Sequence, residues 1–313
     1  MKIVSLLPSA TEMVCALGLE GSLVAVSHEC DYPPQVTTLP RITSSILPQE
    51  LDPQGIDKAV NEAVQAGQAL YQIDGNRLQQ LRPDLIVTQG VCDVCAVGLG
   101  TVEATLKFLP DCLPEGARTL SLSGMNFRGI LRDLKILAEA TGRDEEAETL
   151  TASLRERWTA VQSTPLPYSR KPKVLMLEWN TPPFYGGHWV PEMVEVAGGE
   201  DILGTPGQDS KRTTWAEIAG HKPDVIVVMA CGYDLAKNTE FARDLYTHPE
   251  AKHLPAVGAQ QVWAADANSY FSRPGPRAIR GAEILQAILA DDATKVNPDE
   301  AARVLPIPTA LRV

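Results

Sequence analysis

Cys92 and Cys95 form a Cys-x-x-Cys pair in "VTQGVCDVCAVG" (87–98), directly after a run of strand-forming residues. Thiolate and imidazole ligands suit zinc or iron, so Cys92 and Cys95, joined by His28 and Cys30 of "SHECDYP" (27–33), make a candidate metal centre. With Cys231 added, the same thiols would serve a thiol-dependent enzyme or a metal-handling protein. Against a closed zinc site, the two ligand groups lie about 60 residues apart, with neither a second Cys-x-x-Cys nor a His-x₃-His partner. A thioredoxin-like redox pair would open a helix near the start of a βαβ unit, which this one does not. Plain packing is the reading for Cys15, on the apolar face of the first helix, and for Cys112. His221, His248 and His253 fall in a helix-end turn or in loops and read as solvated or internally satisfied side chains.

Where these residues meet depends on the elements that carry them. One pattern occurs twice: "LQQLRPDLIVTQG" (78–90) and "IAGHKPDVIVVMACG" (218–232) each read as a helix end, a basic residue, Pro-Asp and a buried strand. The strands "KIVSLLPS" (2–9) and "KVLMLEWN" (173–180) open the two halves, and "ATEMVCALGLEG" and "VPEMVEVAGG" (190–199) follow as helices ended by glycine. Strand–helix–strand alternation in both halves predicts α/β lobes with parallel sheets. From Asp144 onward, Ala147, Leu150, Leu154, Trp158 and Val161 recur at three and four, the apolar face of a single long helix over roughly 144–162 that joins the lobes. The expected organisation is an N-terminal lobe over 1–123, connecting helices over 124–171, a C-terminal lobe over 172–295 and a tail over 296–313.

Composition narrows the partners. A net charge of −11 argues against nucleic acid or an anionic membrane surface, both of which need clustered Lys and Arg. No apolar run approaches the ~20 residues of a membrane span. "MKIVSLLPSATE" reads as a first strand, too short for a secretory h-region, so the chain as given is expected to be cytoplasmic, and periplasmic if a leader has been removed. Six cysteines in 313 residues are too sparse for a disulfide scaffold. No Gly-rich phosphate loop, nucleophile elbow or His-Glu-x-x-His supports catalysis, and the expectation is that the protein is not an enzyme.

"KIVSLLPSATEMVCALGL", then "LVAVSHECDYPP" and "LPRI", resembles the opening of the cobalamin-binding branch of the cobalamin- and iron-siderophore-type substrate-binding proteins of ABC importers. The two Pro-Asp strands and the long helix are similar as well, so the resemblance covers about residues 1 to 290. It implies two lobes of a clamshell holding one small-molecule ligand, cobalamin or a similar corrinoid or metal chelate, and an ABC permease as partner. Importer-bound members present an exposed Glu on the helix before each Pro-Asp strand. Here Asn76 and Ala216 stand near those places, with Glu217 one step away, which departs from that pattern.

In open parallel sheets, ligands bind outside the carboxyl ends of the strands. Those ends place Ser9 and Thr11 of "SLLPSATE", then His28, Glu29, Cys30, Asp31, Cys92 and Cys95, at the edge of the first lobe, with Cys30, Cys92 and Cys95 near one another. The second lobe offers Glu178, Trp179, Tyr185, His188, Trp189, Cys231, Tyr233, Tyr270, Phe271 and Arg273. Only 5% of the chain is aromatic, yet Trp179, Phe184, Tyr185, Trp189, Tyr233, Tyr270 and Phe271 gather in these loops. Each could simply pin its loop to the core. Together they suit a large flat ligand, which a corrin or another tetrapyrrole is. His28 or His188 could ligate its metal, and Arg273 could pair with an edge group.

Overall fold

The computed structural model describes residues 1–48, 51, 53–90, 97–108, 113–292 and 294–307. Contacts divide the chain into two compact units, one of residues 1–124 and 128–152, the other of residues 125–127 and 153–313.

In the first unit, strands β1 (Ile3–Ser5), β2 (Leu23–Val26), β5 (Leu85–Gln89) and β6 (Arg118–Leu122) form an all-parallel sheet in the order β2-β1-β5-β6. Its β1 and β5 are buried throughout, as near-continuous apolar strands covered on both faces must be. A separate antiparallel pair joins β3 (Thr43–Ser45) to β4 (Tyr71–Ile73).

The second unit carries β7 (Lys173–Asn180), β8 (Pro183–Tyr185), β9 (Glu200–Asp201), β10 (Lys211–Arg212), β11 (Val225–Val228), β12 (Val262–Ala265) and β13 (Ala301–Arg303). They order as β10-β8-β7-β11-β12-β13, with β9 beside the start of β7. The β7-β11-β12 centre is parallel, as expected, but β8, β10 and β13 are antiparallel additions at the edges. The segment 296–313, expected as a tail, supplies β13. It is tied down further where Tyr246 Oη donates to Val304 O and where Arg280 forms an ion pair with Glu300.

The repeated Pro-Asp pattern has one physical cause in both units. The helix Gly75–Leu81 is capped by Asp74 and the helix Trp215–His221 by Thr214, and each ends on a residue in the left-handed region, Arg82 at φ 48° and Lys222 at φ 56°. Proline then bars continuation. The following aspartate accepts from the backbone N–H of the lysine that opens the neighbouring strand, Lys2 to Asp84 at 2.7 Å and Lys173 to Asp224 at 2.8 Å. Each lysine Nζ donates to a carbonyl at the helix end, Leu81 or His221. Left-handed φ strains a residue with a Cβ. Arg82→Gly and Lys222→Gly are therefore each expected to stabilise the protein by about 0.5 kcal/mol after the entropy of the unfolded glycine is subtracted. A rise of roughly 1–2 °C in thermal midpoint is the readout, and a fall would reject the strain argument.

A helix runs from Asp144 to Ser163, matching the expected extent, and Ala147, Leu154 and Val161 are buried along it. Trp158 stacks on Phe127 with centroids 4.0 Å apart. The boundary between units falls within this helix, after Ala152, and residues 125–127 group with the second unit, so these contacts do not carry the expected single passage. No helix among the described residues is long and apolar enough to cross a membrane.

Candidate functional site

At the carboxyl edge of the first sheet, the polar side chains turn inward. Ser5 Oγ donates to Leu7 O, Thr11 Oγ1 donates to Ser5 Oγ at 2.8 Å, and Thr11 Oγ1 lies 3.0 Å from Cys30 Sγ. Thr11, Ser9 and Cys30 are all buried. Three residues expected at the edge thus lie inside the protein. Ser9 and Thr11 belong to the first turn of the helix Pro8–Ala16, whose start is buried, and Cys30 closes the Ser5–Thr11 polar network from the β2 side. Arg41 fastens the same loop by donating to the carbonyls of Ser27 and Cys30.

His28 stays half-buried, with Nδ1 2.7 Å from Thr43 Oγ1 and its ring against Tyr71. Burial, helped by the Arg41 charge, lowers its pKa, which favours the neutral imidazole a metal needs. With Nδ1 engaged, Nε2 is the nitrogen available for coordination. Glu29 and Asp31 are exposed. Cys92, Cys95 and Cys112 lie outside the described residues. Among the described residues, no group of three His, Cys, Asp or Glu side chains could hold a metal ion, so zinc or iron at a Cys30 cluster is unsupported. Cys15 is half-buried, and burial pushes its thiol up to about 11, which leaves it protonated and inert.

The second sheet's carboxyl edge is richer. At the end of β7, the Trp179 ring stacks on Tyr233 with centroids 5.7 Å apart and meets Phe241 edge-on at 5.6 Å. Tyr233 in turn meets Phe241 edge-on at 5.4 Å. These rings come from β7, from the loop after β11 and from the helix Leu235–Asp244, so three elements converge. That loop also exposes Cys231. What fixes it is Asn238, fully buried within the helix. Its Oδ1 accepts from Ala230 N, and its Nδ2 donates to Ala265 O and Tyr233 O. Sequence reading passed over Asn238, although an asparagine inside an otherwise regular helix is a poor helix former that often signals such a tether.

In "YGGHW" (185–189), Gly187 faces the backbone of residues 208–210 so closely that a Cβ would meet Ser210 N at 2.3 Å. His188 follows at φ 55°, accepts from Gly207 N, and brings Nε2 to 3.4 Å from Asp209 Oδ1. Burial lowers its pKa while the Asp209 charge opposes the shift. Trp189 and Arg273, both expected to face a ligand, lie within the protein. Trp189 is buried, with Nε1 donating to Phe271 O at 2.8 Å, and Phe271 is itself core. Arg273 is buried too, with Nη2 donating to Asn268 Oδ1 at 2.8 Å. The aromatic edge is thus Trp179 and Tyr233, with half-buried Tyr185 on β8 and Tyr270 under the Arg277 guanidinium. Glu178, also half-buried, lies one residue before Trp179.

Comparison with known proteins adds the following. The family profile described as "Periplasmic binding protein" matches residues 3–268. The vitamin B12-binding protein of Photorhabdus laumondii is 25% identical over 297 residues, which is 94% of this chain and 90% of that protein. The vitamin B12-binding protein of Yersinia pestis is 25% identical over 94% of this chain and 88% of that protein. Among solved structures, the periplasmic vitamin B12-binding protein BtuF of Vibrio cholerae superposes with a TM-score of 0.65 at 21% identity, covering 93% of this chain and 97% of that one. The periplasmic heme-binding protein HutB of Vibrio cholerae gives 0.67 at 20% identity, covering 92% and 98%.

Proposed function

The chain belongs to the periplasmic binding protein family, and from that premise we propose that it is the substrate-binding protein of an ABC importer, carrying cobalamin or a similar corrinoid. The observation that carries the ligand class is the convergence of Trp179, Tyr233 and Phe241 at the carboxyl edge of the second sheet. A wide flat ligand gains from such rings because they bury apolar area at low entropic cost, at about 25 cal/mol per Å² before the costs of association. The names of the 25%-identical relatives support a corrinoid over haem. Tyr185 and Tyr270 would extend the aromatic surface, His188 and His28 are the imidazoles suited to a central cobalt or iron, and Glu29 and Glu178 would face polar edge groups.

Family membership supports the periplasmic placement over the cytoplasmic one, and a membrane permease as partner. Glu217, one step from the place a docking glutamate takes in such proteins, is exposed, though Thr213 Oγ1 donates to one of its oxygens at 2.7 Å. The thiol-enzyme alternative gains nothing from Cys30, whose sulfur is buried against Thr11.

Calorimetric titration of the wild type and Trp179→Ala with cobalamin, cobinamide and haemin tests the reading. Saturable heat with both corrinoids is expected, weakened in Trp179→Ala by a factor of ten or more, about 1.4 kcal/mol. A wild type that is silent to corrinoids and unshifted in melting temperature, while binding haemin, would reject the corrinoid and leave only a tetrapyrrole.

A further inference from the structure

We infer that the end of β7 is a carboxamide subsite, in which Trp179 Nε1 donates to the oxygen and Asn180 Oδ1 accepts from the NH₂ of one peripheral amide of the ligand. This rests on the corrinoid reading above and gives it a chemical basis for selectivity. Trp179 and Asn180 are consecutive residues at the carboxyl end of the strand, and both pack on Phe241, one through its ring and one through its backbone. Trp179 Nε1 and Asn180 Oδ1 are each screened from solvent without a hydrogen-bond partner. Such atoms are uncommon in folded proteins, because each has given up its water without a replacement partner. A donor and an acceptor left unmatched on neighbouring residues, at the edge where this sheet type takes its ligands, call for a group that answers both.

The orientation of the asparagine is fixed by its neighbours. Asn180 Nδ2 donates to Phe241 O at 2.9 Å, so the oxygen is the end left over. A primary carboxamide offers one strong acceptor and two donors, which meets both unmatched atoms at once. A carboxylate can accept from Trp179 but has nothing to donate to Asn180, and its charge would lie against a carbonyl oxygen in a dry place. Corrins carry carboxamides around their rim, whereas haem carries carboxylates. The subsite therefore separates two tetrapyrroles that aromatic stacking alone treats alike.

Entry needs a side chain to move, since both atoms are covered. Tyr233 is half-exposed, as Trp179 and Asn180 are, and its ring lies along Trp179. Its carbonyl is held by Asn238 Nδ2 and Asn268 N, so the ring swings about a pinned backbone.

The test titrates dicyanocobinamide, whose rim is amide, and its carboxylate-rimmed counterpart dicyanocobyrinic acid into wild type, Trp179→Phe and Asn180→Ala. The wild type should prefer the amide by at least about tenfold, the size of one or two good hydrogen bonds in a dry site. Trp179→Phe keeps a ring and loses the donor, and should weaken dicyanocobinamide about tenfold. Asn180→Ala should narrow the amide preference to within about threefold. Should Asn180→Ala fail to melt cooperatively, the wild-type comparison and Trp179→Phe still decide. Equal wild-type affinity for the two corrinoids, or wild-type affinity in Trp179→Phe, overturns the subsite and leaves the corrinoid reading standing. A wild type silent to both corrinoids removes that reading, and the subsite with it.

Discussion

Trp189→Ala should destabilise the second unit by about 3–5 kcal/mol, the cost of emptying a large buried aromatic site. Trp189 is only 7% exposed and precedes the helix Val190–Val196 as its cap residue. Its Nε1–H reaches Phe271 O at 2.8 Å, so truncation opens a cavity and also strands a buried carbonyl. Trp189→Phe keeps most of the packing and loses only that bond, for a cost of about 1 kcal/mol. Trp179→Ala is the contrasting case, because Trp179 is half-exposed and its indole N–H has no partner to lose. Denaturant melts followed by circular dichroism should rank the variants Trp189→Ala, then Trp179→Ala, then Trp189→Phe, in decreasing damage. If Trp189→Ala melts within 1 kcal/mol of wild type yet loses corrinoid affinity, the side chain serves the ligand and its structural assignment fails.

The difference between these two tryptophans marks where sequence reasoning stops. Strand ends were legible because the Pro-Asp turns and the apolar runs are local signals: Arg82 and Lys222 end their helices where the prolines said they must. Parallel pairing of β7, β11 and β12 followed from runs buried on both faces. The antiparallel edges were not legible. Strands β8 and β10 have three and two residues, too few for a period of two to show, and β13 sits in a segment whose "AAR" carries no strand pattern. Loop positions could be assigned to the correct edge, but not the direction of their side chains. Ser9, Thr11, Cys30, Trp189 and Arg273 all follow strand ends and all turn into the protein, where partners such as Cys30 for Thr11 and Phe271 O for Trp189 come from elsewhere in the chain.

Asp201→Asn should stabilise the protein above about pH 6 and leave it unchanged in acid. Asp201 sits on β9 against the start of β7, with Oδ1 accepting from Leu203 N and Gly204 N at 3.1 and 2.7 Å. Its Oδ2 is buried without a partner, and the approach of Gly204 is so close that a Cβ there would lie 2.9 Å from it. Burial pushes the carboxyl up to about 6, with Glu195 adding to the rise and the two backbone N–H groups opposing it. The native state therefore keeps a proton that the unfolded chain releases near pH 4. Between those values stability falls as pH rises, because the native state binds more protons than the unfolded one. The full loss is at most about 3 kcal/mol, since each pKa unit corresponds to 1.36 kcal/mol. Asparagine keeps the Oδ1 acceptor and removes the charge, and its NH₂ stands where the protonated acid holds its own unmatched OH, so the two match in acid and the gain at pH 7 should approach the same roughly 3 kcal/mol. Other carboxylates act in the opposite sense: the Arg170 guanidinium beside Asp224 holds that group below its usual range, so its contribution is lost in acid. Only the difference between wild type and variant isolates Asp201. Paired denaturant melts from pH 3.5 to 7.5 should start together and separate between pH 4 and 6, with the variant above. Parallel profiles across that whole range would show that Asp201 is solvated in the native state, contrary to the burial that raises its pKa.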